Sequence, residues 1–168
     1  MLYECKNPAR CIVGVERVVW EGGKFEVEPR EYSSLAFRIG GASTVTVGEK
    51  TYRAFGGDIL YLPQGLPYRA EYTDTDMLAI HFVTEADDAE PEVYTPRNAE
   101  QIYQSFIAAH TLWQNKALGH EAYALSQLYY ILGELYANEL KNRMPEHFIN
   151  ALSYINTNYR DPDLSAEK

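Results

Sequence analysis

From residue 11 to residue 83 the chain never settles into a helical rhythm. Runs rich in Val, Ile, Tyr and Phe are cut every several residues by Gly or Pro. Such runs read as short antiparallel strands. Residues 11–20 are the first, ended by Gly22-Gly23, and residues 25–28 alternate apolar and polar until Pro29 closes them. Residues 35–39 stop at Gly40-Gly41. Residues 44–47, Gly48-Glu49 and residues 50–55 have hairpin form, with Gly48 supplying the positive φ of a tight turn. Residues 59–62, 68–72 and 77–83 complete the set. Many short strands with glycine corners and no intervening helix predict a barrel or sandwich.

The second half is built differently. Thr95-Pro96 offers an N-cap with Pro at the first helical position, and Ile102, Phe106, Ala109 and Trp113 then mark one face as far as about Lys116. Gly119 separates this helix from a second, residues 120–143. There Leu125, Leu128, Leu132 and Leu135 recur at intervals of 3, 4 and 3, the spacing of a coiled-coil seam, and Tyr136 flanks it. A helix apolar around most of its circumference must be covered on more than one side. The barrel covers one side, and a second copy of the helix is the natural cover for another; burial wholly within one chain is the alternative. Pro145 opens a third helix with Phe148, Ile149, Leu152, Ile155 and Tyr159 on its apolar side. Asp161-Pro162-Asp163 breaks it, and residues 164–167 look like the capped start of a fourth. A helix that short does not stand alone, so the sequence is expected to run on into a further domain. The expected organisation is a barrel with an acidic connector over residues 1–94, a two-helix segment over 95–143, and a linker with the third helix over 144–168.

Charge restricts the partners. With 24 acidic and 15 basic residues the net charge is −9, and the acidity lies mainly from Thr84 onward. Such a surface repels phosphate, so these residues by themselves are not expected to grip nucleic acid. Two cysteines, Cys5 and Cys11, make no disulfide framework and no metal-type pair; both are expected as thiols in or near the core. No apolar run approaches a membrane span and no signal pattern opens the chain, which points to a soluble, cytoplasmic protein with no membrane partner.

Two motifs carry a family resemblance. Gly57-Asp58-Ile59-Leu60-Tyr61-Leu62-Pro63-Gln64-Gly65 fits the second cupin motif, G-x5-P-x-G, and residues 35–41 resemble the strand-then-glycine that closes the first. Residues 148–165, with Tyr154-Ile155, Asn158-Tyr159 and Leu164-Ser165, resemble the opening of the DNA-binding domain of AraC/XylS-type transcription regulators. In this order the motifs make the chain similar to the N-terminal effector-binding and dimerisation domain of that family, together with the first helix of a truncated helix-turn-helix domain. The resemblance implies an α+β fold: a cupin-like antiparallel β-barrel (double-stranded β-helix or jelly roll) followed by a helical hairpin and a third helix. It also implies a small-molecule effector, a sugar or other small polar metabolite, a homodimer formed through Leu125, Leu128, Leu132, Leu135 and Tyr136, and DNA contact through the missing C-terminal domain only.

Many cupins are metal enzymes whose ligands follow H-x-H…E in the first motif, with a further His after P-x-G. The histidines here are His81, His110, His120 and His147, and Tyr68 stands at the second-motif position. One imidazole, His81, reaches the barrel, so no metal, no other cofactor and no catalytic residue is expected. Strand alternation turns Tyr68, Ala70 and Tyr72 inward; on the last strand Met77, Ala79 and His81 share one face and Leu78, Ile80 and Phe82 the other. The resemblance places Arg30, Tyr32 and Arg38 on pocket-facing strands, with Trp20 as a further wall. Arginine can clamp a carboxylate or vicinal hydroxyls and tyrosine can stack on a sugar face. Taken singly, a tyrosine on a barrel strand is more often core filling and His81 reads first as a satisfied core histidine, while the arginines read equally as outer-face residues. No nucleophile elbow or phosphate-binding glycine loop occurs, which favours binding over catalysis. The rival readings are a metal-independent cupin isomerase or epimerase and a stand-alone binding module.

Overall fold

The computed structural model describes residues 8–85 and 90–161. Its elements are β1 (Cys11–Val27), β2 (Ser33–Val47), β3 (Lys50–Phe55), β4 (Ile59–Leu62), β5 (Tyr68–Val83) and β6 (Glu92–Tyr94), then α1 (Ala99–Asn115), α2 (His120–Arg143) and α3 (Glu146–Asn158). Cys5, residues 86–89 of the acidic connector and the fourth-helix start at 164–167 lie outside the described residues. Cys11, expected in or near the core, is exposed at the head of β1.

The strands are fewer and longer than the glycine punctuation suggests. The runs expected at 11–20 and 25–28 fall on one strand, which ends at Val27, and those at 35–39 and 44–47 and at 68–72 and 77–83 are likewise single strands. The glycines bend the strands without ending them. At Gly41 φ is +70°, and a Cβ there would stand 2.1 Å from the carbonyl oxygens of Thr73 and Asp74. Gly22, at φ +122°, would bring a Cβ 2.1 Å from the Tyr72 carbonyl oxygen. Only glycine allows β1, β2 and β5 to turn together while staying hydrogen-bonded. The β2–β5 register accordingly slips between Arg38 and Ala42.

The six strands form one antiparallel sheet in the order β1-β5-β2-β4-β6, with β3 also pairing β2. Past the bends the outer halves of β1, β5 and β2 continue with β3, while the inner halves continue with β4 and β6. The Gly48-Glu49 turn joins Val47 to its partner Lys50, as the hairpin pattern predicts.

Period-two alternation then sorts side chains between two buried environments. Leu35, Phe37, Ile59, Tyr61, Leu78, Ile80 and Phe82 join the main core with Ile102 and Phe106 of α1 and Leu128 of α2. Their neighbours in sequence face the barrel interior, where Val45, Ala54, Leu60, Leu62, Tyr68 and Ala70 form a second cluster. Phe37 stacks on Tyr103 at 5.3 Å and contacts Phe106 at 5.8 Å.

Helix α1 begins later than Thr95-Pro96 suggests. Residues 92–94 pair with β4, and the Thr95 hydroxyl donates to Asp58 Oδ1 at 2.7 Å. Asp58 Oδ2 also accepts from the Phe55 amide at 2.8 Å. The barrel therefore holds Thr95, and the helix starts at Ala99.

The leucine seam of α2 is a core feature of its own chain. Leu128, Leu132 and Leu135 are buried in the main core with Ala124 and Ile131, and Leu125 packs against that core half-buried. The 3-4-3 spacing defines a single face, and the barrel and α1 cover it. Asn98 Nδ2 donates to Glu134 Oε2 at 2.6 Å, Gln101 Nε2 donates to the Tyr130 hydroxyl, and the Tyr129 hydroxyl donates to the Ala9 carbonyl at 2.9 Å. Outward, α2 exposes Tyr123, Tyr129 and Tyr130 among Glu121, Ala122, Ser126 and Gly133.

Contacts divide the chain after Leu135, so α1 and most of α2 belong with the barrel. The second unit begins at Tyr136, which is exposed, and holds the end of α2 and all of α3. On α3 the side chains Phe148, Leu152, Ile155 and Tyr159 are exposed.

Candidate functional site

The barrel interior is not packed solid. A cavity of about 70 Å³ lies between the bent strands. Strand β2 lines it with Ser34, Ala36, Arg38 and Ser43, and β5 with Tyr68, Tyr72, Met77, Ala79 and His81. Leu60 and Leu62 of β4, Val18 of β1 and Arg30 from the β1–β2 connection close it. Space of this size admits a handful of waters or non-hydrogen atoms, on the order of five.

Its polar groups are poorly matched to one another. Arg38 is 3 % exposed. Its Nη1 donates over long distances, 3.4 Å to the Gly40 carbonyl and 3.5 Å to Thr75 Oγ1, and its Nη2 lies 3.6 Å from Met77 Sδ. The guanidinium also sits 5.6 Å from the Tyr72 ring centre. Burial pulls the Arg38 pKa below its ordinary value, with the Tyr72 hydroxyl opposing. Arg30 lies over two rings, 5.0 Å from Tyr32 and 5.2 Å from Tyr68. Three buried atoms around this space, Arg30 Nη2, Ser43 Oγ and His81 Nδ1, have no hydrogen-bond partner in the protein. Buried polar groups are ordinarily satisfied, so a cluster of unsatisfied ones marks a place for a polar guest.

Burial sets the protonation states. It pushes the Tyr68 pKa up to about 12 despite the nearby Arg30 charge, and raises Tyr72 against the pull of Arg38 and Arg30. It lowers the His81 pKa, an effect Arg30 reinforces and Glu16 opposes. At neutral pH the tyrosines are therefore protonated and His81 uncharged, leaving the guanidinium groups as the cavity's charges. No carboxylate forms an ion pair with Arg30 or Arg38 among the described residues.

Five residues singled out from sequence, Arg30, Arg38, Tyr68, Tyr72 and His81, meet at this cavity. Two stand one layer away. Trp20 packs on Phe25 at 4.9 Å and on Tyr72 at 6.2 Å, and Tyr32 meets His81 edge-on at 4.9 Å. Ser34 and Ser43 were not singled out. Counting back by two from the inward Val45 reaches Ser43, so its position was available in the alternation of β2. Among the described residues no group of three or more His, Cys, Asp and Glu stands close enough to hold a metal ion.

Larger recesses of about 480 and 320 Å³ lie on the outside of the same sheet, around Lys24, Glu26, Arg69 and Glu71. Their charges already pair, Lys24 with Glu71 and Arg69 with Glu26, on exposed side chains. Size favours these recesses, but unsatisfied and desolvated polar groups belong to the smaller cavity, which is the stronger candidate.

No protein-family model matches the chain, and no curated protein matches it in sequence. Among solved structures it is similar to the AraC-like transcriptional activator CuxR, with a TM-score of 0.60 and 16 % identity over 90 % of this chain and 62 % of that one. It is also similar to the apo form of a ToxT variant from Vibrio cholerae, with a TM-score of 0.51 and 5 % identity over 76 % of this chain and 55 % of that one. The chain thus spans under two thirds of either protein's length. No helix among the described residues is long and apolar enough to cross a membrane. In architecture, this chain shares its fold with part of the AraC-like transcriptional activator CuxR: an antiparallel β-barrel continued by helices.

Proposed function

We propose that the chain is the sensing part of a cytoplasmic AraC-type transcription regulator, in which a small polar molecule enters the barrel and biases the helices that follow. The observation that carries this reading is the interior cavity, where Arg30, Ser43 and His81 present unsatisfied buried atoms beside a desolvated Arg38. Tight turns at Gly41 and Gly22 curve the strands around that space, and the hydrophobic main core couples the outer face of the same strands to α1 and α2. A ligand acts through this path only if it prefers one of two arrangements of these elements.

On this reading DNA contact belongs to a further domain, since the net charge of −9 opposes binding to phosphate. The chain pairs with a second copy, and the surface α2 offers for this is its outward tyrosine face, where Tyr123 and Tyr130 are 59 and 42 % exposed. Two-fold pairing of this kind suits paired DNA half-sites.

Thermal-shift screening of the purified chain against sugars and organic acids tests the proposal. A ligand at one hundred times its Kd adds about 2.7 kcal/mol of stability to the folded state, several degrees of melting temperature for a domain of this size. A panel in which nothing stabilises the chain contradicts the sensing role, and tight, sequence-specific DNA binding by these residues alone contradicts the division of labour.

A further inference from the structure

The barrel cavity contains two guanidinium groups and no carboxylate. Arg38 comes from the middle of β2 and Arg30 from the loop before it, so the fold delivers both to one space of about 70 Å³. Arg38 is almost wholly buried, and its protein contacts are long donations to a carbonyl, a hydroxyl and a thioether, none of them charged. Arg30 keeps one buried Nη2 without a partner. Glu16, which acts on His81, is exposed on β1 and does not line the cavity. A desolvated cation without a counter-charge is costly, and a fold retains one where something else supplies the charge.

We infer that the ligand of this cavity is a small monocarboxylate, its carboxylate held between Arg38 and Arg30. The inference rests on the sensing reading above and narrows it to a chemical class. Guanidinium presents paired donors that match the two oxygens of a carboxylate. Ser43 Oγ and His81 Nδ1, both buried and unsatisfied, supply further polar contacts for a hydroxyl or keto group next to it. The rest of the lining is mixed: Val18, Ala36, Leu60, Leu62, Met77 and Ala79 are apolar, and Ser34, Tyr68 and Tyr72 add hydroxyls. The six apolar side chains suit a short aliphatic body, which inorganic phosphate, with oxygen on every side, does not supply. The cavity's size limits the body to a few carbons, and an intact pyranose exceeds it.

The test uses the full chain in low-salt buffer, with calorimetric titration and thermal melts against L-lactate, pyruvate, acetate, inorganic phosphate and D-xylose. At least one of the three carboxylates binds and raises the melting temperature, while phosphate and xylose do not. Arg38→Met and Arg30→Gln each weaken carboxylate binding at least tenfold. Without ligand, Arg38→Met melts at or above the wild type, because an unpaired buried charge has been removed. If Arg38→Met does not fold, or melts well below the wild type, Arg38 is a structural residue and the inference fails. Binding of xylose that survives both substitutions overturns the carboxylate assignment and leaves the sensing role standing; binding of phosphate alone does the same. If no carboxylate binds the wild type, the inference is wrong, and the wider thermal-shift panel decides separately whether the cavity senses anything.

Discussion

Truncating Leu128 to Ala asks whether the leucines of α2 stabilise their own chain or await another. Leu128 is fully buried, in one cluster with Ile102, Phe106, Ala124, Ile131 and residues of β2 and β5. Leu-to-Ala changes at such sites cost about 2–5 kcal/mol, combining lost transfer energy with the cavity left behind. The Leu128 neighbours come from two helices and the sheet, which limits collapse onto the gap, so about 3 kcal/mol is expected. For a chain of 168 residues each kcal/mol moves the melting temperature by about 2–4 °C, giving a drop of about 6–12 °C. Thermal melts followed by circular dichroism at two protein concentrations tenfold apart measure it. The drop should be the same at both concentrations, because the lost contacts lie within one chain. A variant that melts within a degree or two of the wild type, or whose deficit appears only on dilution, refutes the assignment of this leucine to the intrachain core.

Four further outcomes follow from named contacts. Gly41→Ala must clear backbone oxygens 2.1 Å from its new methyl group at φ +70°, so it loses on the order of 3 kcal/mol or more in urea unfolding; a near-wild-type midpoint refutes the bend. Gly133→Ala, on α2 with nothing within 4 Å of the added methyl group, gains about 0.5–1 kcal/mol by the same assay, and a loss contradicts the open surface there. Asp58→Asn and Thr95→Val each cost about 1–3 kcal/mol, and because the two side chains share one bond the double variant loses less than the sum; strict additivity counts against that bond. The His81 pKa is held below its ordinary 6.5 by burial, so the unfolded chain binds a proton first as pH falls: stability is flat above about 6.5 and declines below it. His81→Gln flattens that decline in melts from pH 8 to 5.5, and equal slopes in both proteins contradict a neutral, buried His81.

Much of this architecture is legible in the residues, and the misses have physical causes. Helix α2 runs over the residues its pattern predicts, since Gly119 and Pro145 bracket a long apolar-periodic segment. Glycine punctuation divides the strands too finely because a glycine that ends a strand and one that bends it look alike in sequence; the difference lies in the partner, here Thr73 and Asp74 across from Gly41. Strand β6 escaped because three residues paired to β4 carry no periodicity, and Thr95 imitates a helix cap while its hydroxyl serves Asp58. The 3-4-3 spacing of the leucines defines a face and not what covers it, so cover by a second copy and cover within the chain look alike in sequence. Alternation along β5 is legible: it separates Met77, Ala79 and His81, which line the cavity, from Leu78, Ile80 and Phe82, which join the main core. Inward orientation of Arg38 was undecidable from sequence, since the register slips at Gly40 and parity cannot be carried across it.

The barrel interior as the recognition site is tested most directly by nuclear magnetic resonance of the isotopically labelled chain, titrated with the compounds that bind. Saturable shifts should gather on the Arg38 side-chain Nε–H, the His81 ring and the amides of Ser43 and Tyr72. Shifts confined to the outer recess around Lys24 and Glu71, with the Arg38 and His81 signals unmoved at saturation, would contradict it.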